Sequence, residues 1–382
     1  MGYKTSVLRG ICMKAIRVRT EIQKFDYLAN FTNEFNIGKD DLIFTSKSLY
    51  DKYIKELNLE SDIVLKDTYG SGEPSDEMID NILNDIKNKE YSTVVAIGGG
   101  SIIDIAKFLV LEGFEKVVDL FERKVSPVKK RKLIAIPTTC GTGSEVTNIS
   151  IAHITSKDTK MGIAKDELYP DYAVLIPQLL KNLPSKVFAS SSIDALIHAV
   201  ESFLSPKSNE YTELFSINAI KLILQGYIKI IENGFEYKES IIEDFIVGSN
   251  YAGIAFDNTG VGAVHALSYP LGGKYHVPHG EANYQFFTSV LRMYFEKNPK
   301  GKIVRLNKIF EDILGKEKNV YDRLEEVLDN LLKRNRLREY GMKSEDIKVF
   351  TDTVINTQQR LLSNNYAYLS KEDIYNIYKD LY

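Results

Sequence analysis

Hydrophobic residues fall along this chain in two different rhythms. Between about residue 40 and residue 180, short runs rich in β-branched residues recur: DLIFTS, SDIVLKD, STVVAIGGG, KLIAIPTT and YAVLIP. Helical spacing fills gaps between them, as in SDEMIDNILNDIKNK, where apolar positions return every three or four residues. Strands alternating with helices predict a mainly parallel sheet covered on both faces, because parallel neighbours need a crossover and the crossover helix lies on the sheet. Past Pro184 the strands fade, and long helical patterns such as EYTELFSINAIKLILQGYIKIIENG and VYDRLEEVLDNLLKRNRLREYG run towards the C-terminus. The expectation is an α/β domain over residues 1–183 and an all-α domain over 184–382, abutting at a cleft.

Length and charge agree with that division. A chain of 382 residues exceeds the size at which one hydrophobic core usually stops growing. Its net charge of −3 lacks the long-range field that draws a protein to nucleic acid or to an anionic membrane. Small soluble partners are therefore favoured, with no nucleic acid and no membrane. The basic run KRNRLR reads as a solvated helical turn whose positive charge suits a helix C-terminus. Cys12 and Cys140 stand far apart without paired spacing, and no run of about 18 apolar residues appears. The N-terminal stretch has no uninterrupted apolar core of a leader. A cytoplasmic protein is expected.

Two segments carry phosphate chemistry. In STVVAIGGGSIIDIAK an apolar strand runs into Gly98, Gly99 and Gly100, and Ser101 opens a helix. Missing Cβ atoms let backbone approach a ligand, while free N–H groups and the dipole at a helix start favour an anion. Alone, GGGS is equally a plain strand-to-helix turn. In LIAIPTTCGTGSEVT a second strand ends in a glycine-containing loop with hydroxyls at Thr138, Thr139, Thr142 and Thr147. Two such loops at carboxyl ends of parallel strands share one sheet edge, where open α/β sheets bind ligands. Together they point to a dinucleotide.

Candidate metal ligands lie further on. In SSSIDALIHAVESF, Asp194 and His198 are four residues apart in a helical pattern and project from one face. Such a pair is commonly only a surface hydrogen bond. However, VHALSYPLGGKYHVPHGEAN holds three of the five histidines, and its glycines and prolines predict an irregular segment. His265 and His279 from it complete a set of three imidazoles and one carboxylate, a mixture that suits Fe(II) or Zn(II) with a position left for a substrate oxygen.

The combination GGGSIIDIAK, PTTCGTGSEVT, DALIHAVES and paired histidines ending in VPHGEAN resembles the iron-dependent (group III) alcohol dehydrogenase family over nearly the whole chain. The resemblance implies a Rossmann-like N-terminal domain, a helical C-terminal domain, and NAD(P) meeting a divalent metal in the cleft. It implies metal ligands Asp194, His198, His265 and His279, pyrophosphate on Gly99, Gly100 and Ser101, and Thr138, Thr139, Thr142 and Thr147 lining the rest of the cofactor site. Within the family, HALSYPLGGKYHVPHGEANY and SSSIDALIHAVESFLSPKSNEYTELFS look most like the branch acting on 4-hydroxybutyrate. A general short-chain alcohol or diol dehydrogenase, or a lyase resembling dehydroquinate synthase, are the alternatives. A homo-oligomer is expected.

Two departures from the family pattern matter. Many members place a second histidine four residues after the first of the pair, suited to relaying the alcohol proton; here Tyr269 stands there. A phenol with its ordinary pKa near 10 is a poor relay. Many NAD-preferring members also end the first cofactor strand in an acidic residue that binds the adenosine ribose, whereas LIFTSK places Ser46 there, beside Lys47. NAD is the cofactor taken from the branch resemblance, with NADP open. For a substrate carboxylate, Lys160, Lys274, Tyr269 and His276 are candidates by position, a solvated surface lysine being the favoured reading of Lys274.

Overall fold

The computed structural model describes residues 14–157 and 159–382; Cys12 lies outside them. Among the described residues ten strands occur: β1 (Glu21–Lys24), β2 (Asp41–Thr45), β3 (Asp62–Leu65), β4 (Thr93–Gly98), β5 (Leu111–Glu112), β6 (Val128–Lys129), β7 (Lys132–Pro137), β8 (Ile149–Ile154), β9 (Thr159–Ala164) and β10 (Tyr172–Leu175). Six form one sheet in the order β1-β10-β7-β4-β2-β3, every neighbouring pair parallel. After β3 the chain crosses back over β2 to lay down β4, then continues outward through β7 and β10. That reversal places a crevice above the carboxyl ends of β2 and β4, the position where doubly wound sheets bind ligands.

The five strands expected from β-branched runs all form. β2 and β4 are buried at every position, as strands covered on both faces must be. Their side chains alternate between two cores. Leu42, Phe44, Val94 and Ala96 point into a core with Ile79, Ile82 and Ile103, from helices Asp76–Ile86 and Gly100–Leu109. Ile43, Val95 and Ile97 point the other way, into a core that runs on without a break through Phe188, Ile193 and Leu196 into the C-terminal helices. The helical half is thus packed against one face of the sheet.

Two strand pairings leave little trace in the sequence. β1 is an edge strand, EIQK, too polar to register as a strand. β8 and β9 form an antiparallel hairpin in register from Ile149↔Ala164 to Ile154↔Thr159. The segment expected to be irregular is largely helical: Ala263–Tyr275 and His279–Lys297 are helices, with Pro270 inside the first. Proline there removes one backbone hydrogen bond, a loss offset by the burial of Val264, Leu267 and Leu271 on the inward face. The run KRNRLR lies beyond the end of helix Val320–Leu331, and its Arg334 pairs with Glu325 at 3.1 Å.

Helices Ser185–Leu204 and Glu210–Asn233 are long and apolar enough by length and composition to cross a membrane. For the first, 83% of that window is buried inside the chain, so its apolarity is used by the core.

Candidate metal centre and cofactor loops

Three helices bring the candidate ligands together. Asp194 and His198 lie one turn apart on Ser185–Leu204, His265 lies in the first turn of Ala263–Tyr275, and His279 opens His279–Lys297. One donor atom from each of the four lies within 4.8 Å of the others. The approach depends on a small residue: a Cβ on Gly280 would sit 2.1 Å from the Ser190 carbonyl oxygen and 3.1 Å from Asp194 Cβ. Any side chain at Gly280 would push His279 away from Asp194.

Hydrogen bonds fix which nitrogen each ring offers. His265 Nδ1 donates to Glu201 Oε2 at 2.6 Å, since a carboxylate only accepts, and Glu201 Oε1 accepts from the Val264 N–H at 2.7 Å. His198 Nδ1 donates to the Gly141 carbonyl at 3.2 Å. Both Nε2 atoms are then left facing each other 3.0 Å apart. Two lone pairs at that distance need a cation or a proton between them. Asp194 Oδ1 stands 4.0 Å from His265 Nε2 and 3.8 Å from His279 Nε2. A tetrahedral shell with bonds of about 2.1 Å spaces its donors about 3.4 Å apart. The donor set therefore fits a divalent cation.

Electrostatics support the same reading. Burial drives His198 down to about 4, keeping it neutral and able to ligate, and partial desolvation lowers the more exposed His279 as well. For His265 burial acts the same way, but the Glu201 carboxylate outweighs it and raises the group. Burial pushes Asp194 up, yet the three imidazoles and Asn283 hold it below the ordinary carboxylate range. Phe256 stacks on His198 with centroids 4.4 Å apart, closing one side of the ring to water.

Glu201 and Asn283 belong to this site and carry no motif of their own. Asn283 is fully buried; its Nδ2 donates to Asp194 Oδ1 at 2.7 Å and lies 3.1 Å from His265 Nε2 and 3.2 Å from His279 Nε2. Their signal is spacing, three residues after His198 and four after His279, which puts each on its ligand's helix face.

The two glycine-containing loops come together. Gly99 caps helix Gly100–Leu109 without a side-chain hydrogen bond, so the amides at its start are free to face a ligand. A Cβ on Gly99 would lie 3.3 Å from Thr139 Cγ2, and one on Gly100 would lie 2.7 Å from Thr142 Cγ2. Thr138 donates its N–H to the Gly98 carbonyl at 3.1 Å. Thr147 is buried and bonded to Lys107 Nζ at 3.2 Å, beneath the loop. Lys107 also bonds Ser144 Oγ at 2.9 Å, so one buried ammonium ties the second loop to the helix of the first. Ser46 caps the short helix after β2, and Lys47 is held by Asp51 at 2.6 Å. Asp67, in the helical turn Lys66–Tyr69 that follows β3, accepts from the Lys47 N–H at 2.6 Å. A carboxylate thus stands beside Ser46 after all, supplied by the turn after the neighbouring strand.

The remaining candidates separate. Tyr269 lies near the ligands, its ring centroid 6.2 Å from that of His279. Lys160 is paired with Glu73 at 2.5 Å, and the charges of both reach His279. His276 ends its helix in the left-handed conformation, with φ of 53°. Lys274 is withdrawn as a substrate residue: it pairs with the buried Asp346 at 2.6 Å and lies over Phe350.

Residues 17–177 match the family profile described as iron-containing alcohol dehydrogenase, and residues 188–382 match the profile of that family's C-terminal part. The chain belongs to the iron-containing alcohol dehydrogenase family. Within this family it is 55% identical over 371 residues to the 4-hydroxybutyrate dehydrogenase of Clostridium kluyveri, covering 97% of this chain and 100% of the relative. An iron-containing alcohol dehydrogenase of Thermotoga maritima superposes with a TM-score of 0.77 at 27% identity, over 96% of this chain and 98% of the other. The sulfoacetaldehyde reductase of Bifidobacterium kashiwanohense, solved with NAD+, shares the fold with a TM-score of 0.84 at 22% identity, over 97% and 99%. A Rossmann-like sheet domain followed by a helical domain is the architecture of the family, and this alcohol dehydrogenase has it.

Proposed function

We propose that this dehydrogenase interconverts 4-hydroxybutyrate and succinate semialdehyde, with NAD preferred over NADP and iron(II) held by Asp194, His198, His265 and His279. The observation that carries the substrate is the end-to-end 55% identity to a 4-hydroxybutyrate dehydrogenase. When bound, the metal supplies a Lewis acid for the alcohol or aldehyde oxygen, and the nicotinamide supplies the hydride acceptor or donor. Zinc suits the same donors.

The chain's own residues do the rest. Glu201 and Gly141 hold two imidazoles in the ligating tautomer. Gly99, Gly100 and Ser101 offer amides to the pyrophosphate, and Thr138, Thr139 and Thr142 border it, with Thr147 supporting them from below. NAD is favoured because Asp67 places negative charge beside Ser46, where a 2′-phosphate would lie. Burial raises Tyr269 to about 12, so its phenol stays protonated at neutral pH and donates a hydrogen bond to substrate rather than relaying a proton. Lys160 and His276 stand as further candidates for the substrate's polar end. In the cell we read the enzyme as a cytoplasmic homo-oligomer without nucleic-acid or membrane partners, in keeping with its near-neutral charge.

The test is a steady-state assay at 340 nm of the metal-loaded enzyme with succinate semialdehyde, butanal and propanal, each with NADH and NADPH. A kcat/KM highest for succinate semialdehyde with NADH is the expected result. A preference for the uncharged aldehydes would overturn the substrate reading and leave a general short-chain alcohol dehydrogenase.

A further inference from the structure

We propose that Arg360 is the residue that selects a carboxylate at the far end of the substrate, an inference that rests on the substrate reading above. Arg360 sits on the short helix Gln359–Leu362. The segment that follows is pinned to the start of the His265 helix. Asn364 Nδ2 donates to the Val261 carbonyl at 3.1 Å, and Asn365 Oδ1 lies 3.1 Å from where a Cβ on Gly262 would be. The short helix packs on Ala263–Tyr275. With Asn364 and Asn365 fixed at 261–262, the preceding turn, which carries Arg360, lies against the helix that carries Tyr269. The guanidinium charge acts on the Tyr269 phenol against the effect of its burial.

What distinguishes Arg360 is that nothing claims its charge. Among the described residues its guanidinium makes no ion pair and no hydrogen bond, while most neighbouring cations are spoken for. Lys160 is held by Glu73 and Lys274 by Asp346. A guanidinium is planar, always charged and forked, which matches a carboxylate at two points. A four-carbon hydroxy acid binding through its oxygen end at the metal ligands would carry its carboxylate outward past Tyr269. The free cation on that route is Arg360.

The experiment uses full-length, metal-loaded Arg360→Met and Arg360→Lys enzymes, assayed with succinate semialdehyde and with butanal. Arg360 is exposed, so both variants are expected to melt with the unmodified enzyme. The ratio of kcat/KM for succinate semialdehyde to that for butanal should fall about tenfold to a hundredfold in Arg360→Met, through KM, the range for losing a charged hydrogen bond. Arg360→Lys should recover part of the loss. An unchanged ratio in Arg360→Met, with the unmodified enzyme still preferring succinate semialdehyde, would overturn the role of Arg360 and spare the proposed function. No preference in the unmodified enzyme would defeat both.

Discussion

Replacing Glu201 with glutamine tests whether a residue that touches no substrate sets the affinity for metal. Both oxygens of Glu201 are in use, Oε2 by His265 Nδ1 at 2.6 Å and Oε1 by the Val264 N–H at 2.7 Å, in a site where Glu201 is 5% exposed. Glutamine keeps the shape but has one acceptor. If its oxygen faces His265, the amide NH2 meets the Val264 N–H, and one buried donor is orphaned at about 1–3 kcal/mol. If the NH2 faces His265, the imidazole must move its proton to Nε2, the atom that has to ligate. Two carboxylates, Asp194 and Glu201, also balance a divalent cation among neutral rings, and glutamine leaves one positive charge unbalanced. The expected cost is about tenfold to a hundredfold in metal affinity, or about 1.4–2.7 kcal/mol. Competition titration of Zn(II) and Co(II) against a chromophoric chelator reads it, with circular dichroism melting to establish that the variant is folded. A folded Glu201→Gln enzyme that binds both ions as tightly as the unmodified one would refute the reasoning.

Four other outcomes follow from the same geometry. His198→Ala and His279→Ala should each lose bound metal and activity while remaining folded; stoichiometric metal in both, by elemental analysis, would remove them from the ligand set. Ser46→Asp should sharpen the NADH-to-NADPH preference and Asp67→Asn should relax it, and steady-state ratios moving the other way would take both residues away from the adenosine ribose. Tyr269→Phe should raise KM for succinate semialdehyde more than for butanal, whereas an equal fall in kcat for both at constant KM would make Tyr269 a proton relay. Burial pushes Asp346 up, but hydrogen bonds from Lys274, Tyr275 and the Lys343 N–H outweigh it and hold the carboxyl at about 2. Its stabilisation is thus present above about pH 4 and lost as pH falls through about 2, so the melting gap between the unmodified enzyme and Asp346→Asn should shrink over that window. A gap that widens there would contradict the assignment.

The sheet was legible because its central strands are buried on both faces and must therefore be continuous apolar runs, as DLIFT and TVVAIG are. β1 escaped because an edge strand needs little hydrophobicity. The helices carrying His265 and His279 were misread because Pro270, Gly272 and Gly273 are poor helix formers locally, and tertiary burial overrides that preference. Only the break between them, His276 to Pro278, is irregular. The four candidate ligands stand out because histidine is scarce in this chain. Glu201 and Asn283 do not, since one glutamate or asparagine among many announces nothing until a helix sets it over its neighbour. Arg360 and Asp67 were hidden for a simpler reason: each is brought to its place by another element.

Exposure is uneven around the metal ligands. The side chains of Asp194, His198 and His265 are 3%, 7% and 2% exposed, while that of His279 is 41% exposed. The solvent side of the site is therefore the His279 side, and an ion enters and leaves past that ring. The buried trio holds the ion from within, and the fourth ligand is the one that water and chelators can reach. A chelator should therefore compete with His279 before it competes with the other three.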